Sequence, residues 1–381
     1  LAFVPVYFGY EIVLEGNSYL SELRGANKKR ESVFDIIASL KLIRKNFGEL
    51  HVNFGTPIKL DEWLADQKNE GLATGQILPR LGDEIMQAIN RQASANPINL
   101  IASAILTADK QAMPEQQLVD QIQHHRQLIR DLGGDQHLTE TNTTPLQLIH
   151  SAEKLGWLNR ETQAFGEVLS LHPVNAVMLT WYRNNILHLL ALPSLVACLL
   201  VNRRRGITTT RLKASIDLVY PYIARELCAS LPANTDAALD SMQKLGLVRR
   251  EDEVILPAAQ HSEQRLPLLL LSKLINETLE RMYIVLSLAH HGRHTRESLC
   301  QRSQVAAQQM ARLHGINAPE FFDQGLFDQF VDALLENQHL RTDTDEMLIT
   351  NATIAETLHL ARTVIDDKIR FALTPSLNAA N

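Results

Sequence analysis

The sequence predicts a mostly helical chain with an α/β start: an α/β segment over residues 1–75, then a large helical domain with short β-hairpins over 76–381. Three observations carry this. Leu1 to Phe8 is an apolar run rich in valine and aromatic side chains, the pattern of a buried strand. From about residue 80, apolar positions recur at helical spacing, with proline at helix starts and glycine after helix ends. Finally, an amphipathic stretch, a turn and a short polar-tipped hairpin occur three times in order.

In the first segment, Ser32 is placed to cap a helix whose apolar face is Val33, Ile36, Ile37, Leu40 and Ile43. Leu50 to Phe54 reads as a second strand, ended by the turn signal Gly55-Thr56-Pro57. Strand, helix, strand predicts a right-handed crossover with the strands parallel and the 32–47 helix packed on them. Two strands do not make a stable sheet alone. Leu1 is not Met and already lies in a strand, so the chain is expected to lack its front.

In the second segment, Asn96-Pro97, Met113-Pro114 and Thr144-Pro145 each open a helix, and Gly133-Gly134 closes the second of these. Longer helical patterns run over about 174–191, 208–231, 267–290, 296–313 and 353–371. The repeated helix-plus-hairpin units are Leu146 to Leu171, Ala237 to Leu256 and Phe330 to Ile349. That shape is a winged helix, or a set of hairpins that simply close helical layers.

Composition narrows the function classes. The net charge of −6 argues against nucleic acid as a partner. Cys198, Cys228 and Cys300 lack any framework spacing, which suits reduced thiols in a cytosolic setting. No stretch reaches the ~18 uninterrupted apolar residues of a spanning helix. The longest candidate, Leu187 to Val201, contains His188 and Pro193 and reads as a buried or interfacial helix.

Glycine-rich phosphate loops, the Gly-x-Ser-x-Gly elbow and His-Glu-x-x-His are all missing, and no histidine has an aspartate five positions on. His290, His291 and His294 form the one histidine cluster, a metal site only if a helix continues past Gly292, and otherwise a solvated helix end. Arg183, Asn184, Asn185 and His188 form a polar stripe before an apolar run, read as helix packing, with a functional groove as the other reading. Arg24, Lys28, Lys29 and Arg30 form a basic cluster after the first strand, suited to an anion or to an ordinary solvated turn.

The block Val4-Pro5-Val6-Tyr7-Phe8-Gly9-Tyr10-Glu11 is similar to the fourth conserved block of glycerolipid acyltransferases. Glu22-Leu23-Arg24-Gly25-Ala26, Val52-Asn53-Phe54-Gly55, Tyr182-Arg183-Asn184-Asn185-Ile186 and Leu313-His314-Gly315-Ile316-Asn317-Ala318-Pro319-Glu320-Phe321-Phe322-Asp323 follow in order. Together they resemble the C-terminal portion of the bacterial membrane-bound glycerol-3-phosphate acyltransferases over nearly the whole chain. The resemblance makes residues 1–75 the end of an α/β acyltransferase domain. It implies transfer of an acyl group from acyl-CoA or acyl carrier protein to glycerol 3-phosphate, giving lysophosphatidate for phospholipid synthesis. It further implies no cofactor, no metal, no nucleic acid, and a peripheral place on the cytoplasmic face of the inner membrane. The family's catalytic His-x-x-x-x-Asp lies before the fourth block, so no catalytic residue is expected in this chain, which alone is expected to be inactive. Pro5, Tyr10, Glu11, Arg24, Lys28 and Lys29 are the expected substrate-binding positions. The other reading is a non-catalytic helical interaction protein sharing this ancestry.

Overall fold

A computed structural model describes residues 1–13, 47–69, 71, 74–140, 142–316 and 318–378. The opening apolar run is not one buried strand. Pro5 lacks an amide donor and breaks it into β1 (Ala2–Phe3) and β2 (Val6–Tyr10). β1 pairs with β4 (Ile58–Lys59), and β2 with β3 (Leu50–Phe54). Both pairs are antiparallel, which overturns the expected parallel crossover. The ladder runs in register from Val6 opposite Phe54 to Tyr10 opposite Leu50. It is extended at its ends by Gly55 N on Pro5 O (2.8 Å) and Glu11 N on Glu49 O (3.3 Å), and this continuous bonding fixes the strand direction. The helix expected over 32–47 lies almost wholly outside the described residues.

The rest is helical with short hairpins. After α1 (Leu60–Asn69) and α2 (Ile77–Asn90) come α3 (Pro97–Ile105), β5 (Ala112–Pro114), α4 (Glu115–Gly133), α5 (Pro145–Lys154), β6 (Leu158–Gln163) and β7 (Gly166–Leu171). The next elements are α6 (Pro173–Val201), β8 (Ile207–Thr208), α7 (Thr209–Glu226), α8 (Thr235–Lys244), β9 (Val248–Glu251) and β10 (Val254–Pro257). They are followed by α9 (Arg265–Ser272), α10 (Asn276–His291), α11 (Arg296–His314), α12 (Gln324–Glu336), β11 (Leu340–Thr342), β12 (Leu348–Thr350), α13 (Ala352–Val364) and α14 (Asp367–Asn378). The pattern over 267–290 is split at Lys273–Ile275, and that over 353–371 at Ile365, whose backbone is extended.

The threefold similarity is a real structural repeat. α3-β5-α4-α5-β6-β7 and α6-β8-α7-α8-β9-β10 share the order helix, strand, helix, helix, hairpin, and in each the first strand pairs with the last, giving β5-β7-β6 and β8-β10-β9. In the third copy, α10-α11-α12-β11-β12, the first strand shrinks to one bond, Leu348 N on His294 O at 2.8 Å. This is winged-helix topology.

The turn from third helix to hairpin is the same three times. Trp157 N bonds Ala152 O (2.9 Å), Leu247 N bonds Met242 O (2.9 Å) and His339 N bonds Leu334 O (2.8 Å). The residue just before each donor is left-handed: Gly156 (φ 80°), Gly246 (φ 70°) and Gln338 (φ 58°). These are Schellman endings, whose left-handed residue favours glycine.

The chain divides into two compact units. The first comprises residues 1–126 and 134–186, the second 127–133 and 187–381. Within the first, Ile98, Ile101, Ile105, Leu118, Ile122 and Tyr182 are fully buried. Within the second, α10 is buried continuously from Thr278 to Ala289, and Phe321 and Phe327 are buried in the same unit. Asn175–Val201 has the length and mean hydropathy (1.8) to cross a membrane, but 78% of its most apolar window is buried inside the protein, as in a core helix.

Candidate functional site

The substrate-binding positions expected in the described residues cluster where β2 and β3 meet the first helical unit. Side chains alternate across a strand, so the in-register pair sorts its residues onto two faces. Tyr7, Gly9, Glu11, His51 and Asn53 share one face; Val6, Phe8, Tyr10, Leu50, Val52 and Phe54 share the other. The polar face is the one turned inward. Tyr7 and Glu11 are buried, while Phe8 is 50%, Leu50 52% and Phe54 71% exposed. Phe8 and Tyr10 stack on the outer face with ring centroids 6.4 Å apart.

A set of amides holds the inner face down. Asn53 Nδ2 donates to Gln92 O (2.8 Å) and Ser94 Oγ (2.6 Å), and Ser94 Oγ donates to Gln136 O (2.8 Å). Asn96 and Asn99 cap α3 reciprocally, each side chain accepting the other's backbone amide. Their remaining amide donors reach outward: Asn96 Nδ2 to Tyr10 O (2.9 Å), and Asn99 Nδ2 to Tyr182 O (2.8 Å). Tyr182 closes the circuit by accepting Val13 N on its hydroxyl (3.0 Å), its ring packed edge-on against Trp157 and Trp181. Ser94, Asn96 and Asn99 are themselves buried, where an unmade bond costs more than a made one gains.

Pro5 is buried and accepts Gly55 N. Tyr10 points outward while its carbonyl takes Asn96, so it and its neighbour Glu11 face opposite ways. The Glu11 carboxylate accepts Glu49 N at 2.9 Å; burial pushes its pKa up, and that amide bond works against the rise. Burial also raises the Tyr7 hydroxyl to about 12, so it stays a neutral phenol. Arg24, Lys28 and Lys29 lie outside the described residues. Asn53, Ser94, Asn96, Asn99 and Tyr182 were not picked out as a group by sequence reasoning. Asn-x-x-Asn just before a Pro-led apolar run was the available signal.

The arrangement positions a strand pair; it holds no nucleophile beside a base. A hydroxyl meets an imidazole elsewhere in this unit, Ser103 Oγ on His125 Nδ1 (2.8 Å), with Gln121 Nε2 on His125 Nε2 (2.8 Å). Both residues are sealed in the core, and burial, with His124 adding to it, pushes His125 down to about 3. It is a neutral structural histidine. The histidine cluster is not a metal site either. α10 stops at His291, Gly292 is extended, and among the described residues no group of three or more His, Cys, Asp or Glu could hold an ion. Arg183, buried, donates to Asn184 Oδ1 at 3.0 and 3.1 Å, in keeping with a helix-packing stripe.

In two of the three repeats the third helix carries acidic side chains. The third helix of the second copy carries Asp236 and Asp240, paired with Lys213 and Arg250. That of the third carries Asp328, Asp332 and Glu336, paired with Arg296 and Arg225. Acidic helices at the position that would meet phosphates repel them.

A family model described as the glycerol-3-phosphate acyltransferase C-terminal region matches residues 19–343. The chain belongs to this family. It is 36% identical over 393 residues to a glycerol-3-phosphate acyltransferase of Pseudomonas fluorescens (strain SBW25), covering 98% of this chain and 47% of the relative. Relatives of the same name from Pseudomonas putida (strain W619) and Ectopseudomonas mendocina (strain ymp) are 35% and 36% identical over the same shares. The chain thus spans about half the length of the curated relatives it matches. The sequence resemblance is borne out, and the mostly helical architecture with short hairpins is that of this C-terminal region.

Proposed function

We propose that this chain is the C-terminal region of a glycerol-3-phosphate 1-O-acyltransferase, and that β1–β4 complete its α/β acyl-transfer domain. The parent reaction moves an acyl group from acyl-CoA or acyl carrier protein to glycerol 3-phosphate, forming lysophosphatidate. One observation carries the reading: the β2–β3 pair turns its polar face into the protein and its aromatic and aliphatic face outward. A two-stranded sheet is marginal in water, and exposed apolar faces of this kind mark interfaces. The family relatives are about twice as long, so an upstream α/β segment is the natural cover.

In this reading the amide latch fixes the strand pair, and Pro5, Tyr10 and Glu11 shape the substrate pocket. Arg24, Lys28 and Lys29 flank its mouth, facing phosphate or an anionic lipid surface, where each basic residue contributes roughly 1 kcal/mol. The enzyme sits peripherally on the cytoplasmic face of the inner membrane, and this part contributes no catalytic residue. The test is co-expression with the upstream half of the Pseudomonas fluorescens relative. Neither part alone should esterify glycerol 3-phosphate; together they should, and Phe8→Asp with Phe54→Asp should abolish the restored activity. Acyl transfer by this chain alone, or restoration indifferent to that double substitution, would refute the reading.

A further inference from the structure

In the second unit the chain turns sharply at the end of α6. Arg203 N bonds Leu200 O (2.8 Å) and Gly206 N bonds Arg203 O (2.9 Å), so Arg204 and Arg205 occupy the two corners of a tight turn. Gly206 (φ 70°) holds that turn against β10, since a Cβ there would lie 2.4 Å from Ile255 O. Both corner arginines are exposed. A helix C-terminus favours cations through its dipole. Here Arg265 fills that role, its guanidinium donating to Val201 O, whereas the Arg204 and Arg205 side chains form no bond among the described residues.

More positive charge gathers beside the turn. The Arg203 guanidinium donates to Thr363 Oγ1 (3.4 Å), joining the turn to the end of α13, where the neighbouring Arg362 is exposed. Arg370 of α14 donates to the Arg362 carbonyl (3.3 Å). The carboxylates of that corner are already engaged: Asp367 pairs with Arg370, and Asp366 with Lys368 (3.8 Å). Among the described residues Arg203, Arg204, Arg205 and Arg362 pair with no carboxylate. The chain as a whole carries a net charge of −6. An anionic surface therefore repels most of it and is met best by a local patch of the opposite sign. Phe371 favours a lipid surface over an acidic protein. It follows Arg370 and is 73% exposed, while Ile369 and Leu373 on the other side of α14 are buried. An outward aromatic side chain on a helix with cations beside it is the pattern of an interfacial anchor.

We propose that the 203–206 turn and the adjoining end of α13 form a face by which the second unit rests on an anionic lipid bilayer, with Arg204, Arg205 and Arg362 on the phosphates and Phe371 at the headgroup level. This rests on the peripheral membrane placement proposed above and adds a contact surface to it, separate from Arg24, Lys28 and Lys29. It asks nothing of acyl transfer, so the two readings fail separately.

The experiment is co-sedimentation of the 381-residue chain with vesicles of phosphatidylcholine, alone or with about one quarter phosphatidylglycerol, at about 0.1 M and about 0.5 M salt. Binding to the anionic vesicles only, lost at the higher salt, is expected. Arg204→Gln with Arg205→Gln should weaken it about tenfold or more, since each basic residue near such a surface contributes roughly fivefold. Lys154→Gln with Lys244→Gln, the same change of charge at exposed positions elsewhere, should alter it less than about twofold. Phe371→Ser should weaken binding without altering its salt dependence. Unchanged thermal midpoints show that the variants are folded. The proposal is overturned by absent binding to anionic vesicles, by binding indifferent to the arginine substitutions, or by equal loss from the lysine pair. Binding that survives the arginine substitutions but is lost with Lys28→Gln and Lys29→Gln would overturn it while leaving the peripheral placement standing. Salt-sensitive binding of an acyl carrier protein instead of vesicles, lost with the arginine substitutions, would overturn it in favour of an acidic protein partner.

Discussion

The β2–β3 pair and the β9–β10 hairpin are both short antiparallel ladders, yet they are built inside out relative to each other. In β10, Ile255 is 1% exposed and the charged Arg249, Arg250 and Glu251 of β9 face water. In β2–β3, Asn53 and Glu11 face the protein and Phe54 and Phe8 face water. A hairpin of the repeat is finished by its own helices. The opening pair is fastened by amides on one side and left apolar on the other. The difference separates an element whose apolar face is covered by its own helices from one whose apolar face is left exposed.

The largest expected effect breaks or supports this contrast at once. Ile255→Asp puts an unpaired charge into a core and should cost more than about 4 kcal/mol. Phe54→Asp, the same chemistry on the outer face of β3, should change the stability of this chain by no more than about 0.5 kcal/mol. Urea unfolding of both variants measures it. A comparable loss from Phe54→Asp would mean that the outer face already has its cover.

Next comes the latch. Asn96→Ala removes the α3 cap and leaves the Tyr10 carbonyl without its partner, so a loss of about 1–3 kcal/mol is expected. Amide exchange in β2 should quicken while β9–β10 is unaffected. If β2 exchange were unchanged, the amides would not be what holds the pair.

How much of this was legible beforehand follows physical range. Thr144-Pro145 and Asn96-Pro97 announced their helices because capping is local; both became reciprocal capping boxes with proline in the first turn. The three hairpins were visible because the Schellman turn writes Gly156 and Gly246 into the sequence, while Gln338 at the third kept its place through the surrounding pattern. Strand direction was not legible. The parallel expectation came from the crossover rule, which presumes a single connecting helix between two strands of one sheet. Nor was the latch, since Asn53 meets Ser94 and Asn99 meets Tyr182 across separations that no local pattern encodes.

The repeat offers a finer version of the comparison. Gly246→Ala should cost about 1 kcal/mol or slightly more, because an L side chain resists φ of 70°. Gln338→Gly relieves the same strain in the third copy and should add up to about 1 kcal/mol, less the entropy glycine gives the unfolded chain. Thermal unfolding of the two variants should move in opposite directions. Movement in the same direction would show that the three turns are not equivalent.

The smallest effect is at Glu11. Its folded pKa is raised by burial, so its contribution is fully present below the unfolded pKa and is lost as pH rises through the folded one. Stability should therefore decline gently as pH rises through the range just above ordinary glutamate titration. Glu11→Gln should flatten that slope. A slope of the opposite sign, with stability rising through the same range and the rise removed by Glu11→Gln, would place the carboxylate in a stabilising ion pair instead.

The central claim is that the outer face of β2–β3 is an interface for an upstream α/β segment. Amide hydrogen exchange at Val6–Tyr10 and Leu50–Phe54, with and without the upstream half of the Pseudomonas fluorescens relative, tests it most directly. The account predicts that protection of these ten amides rises when the two parts are mixed, with no change in β9–β10. Equal protection in both conditions, or protection gained at the hairpins of the repeats alone, would contradict it.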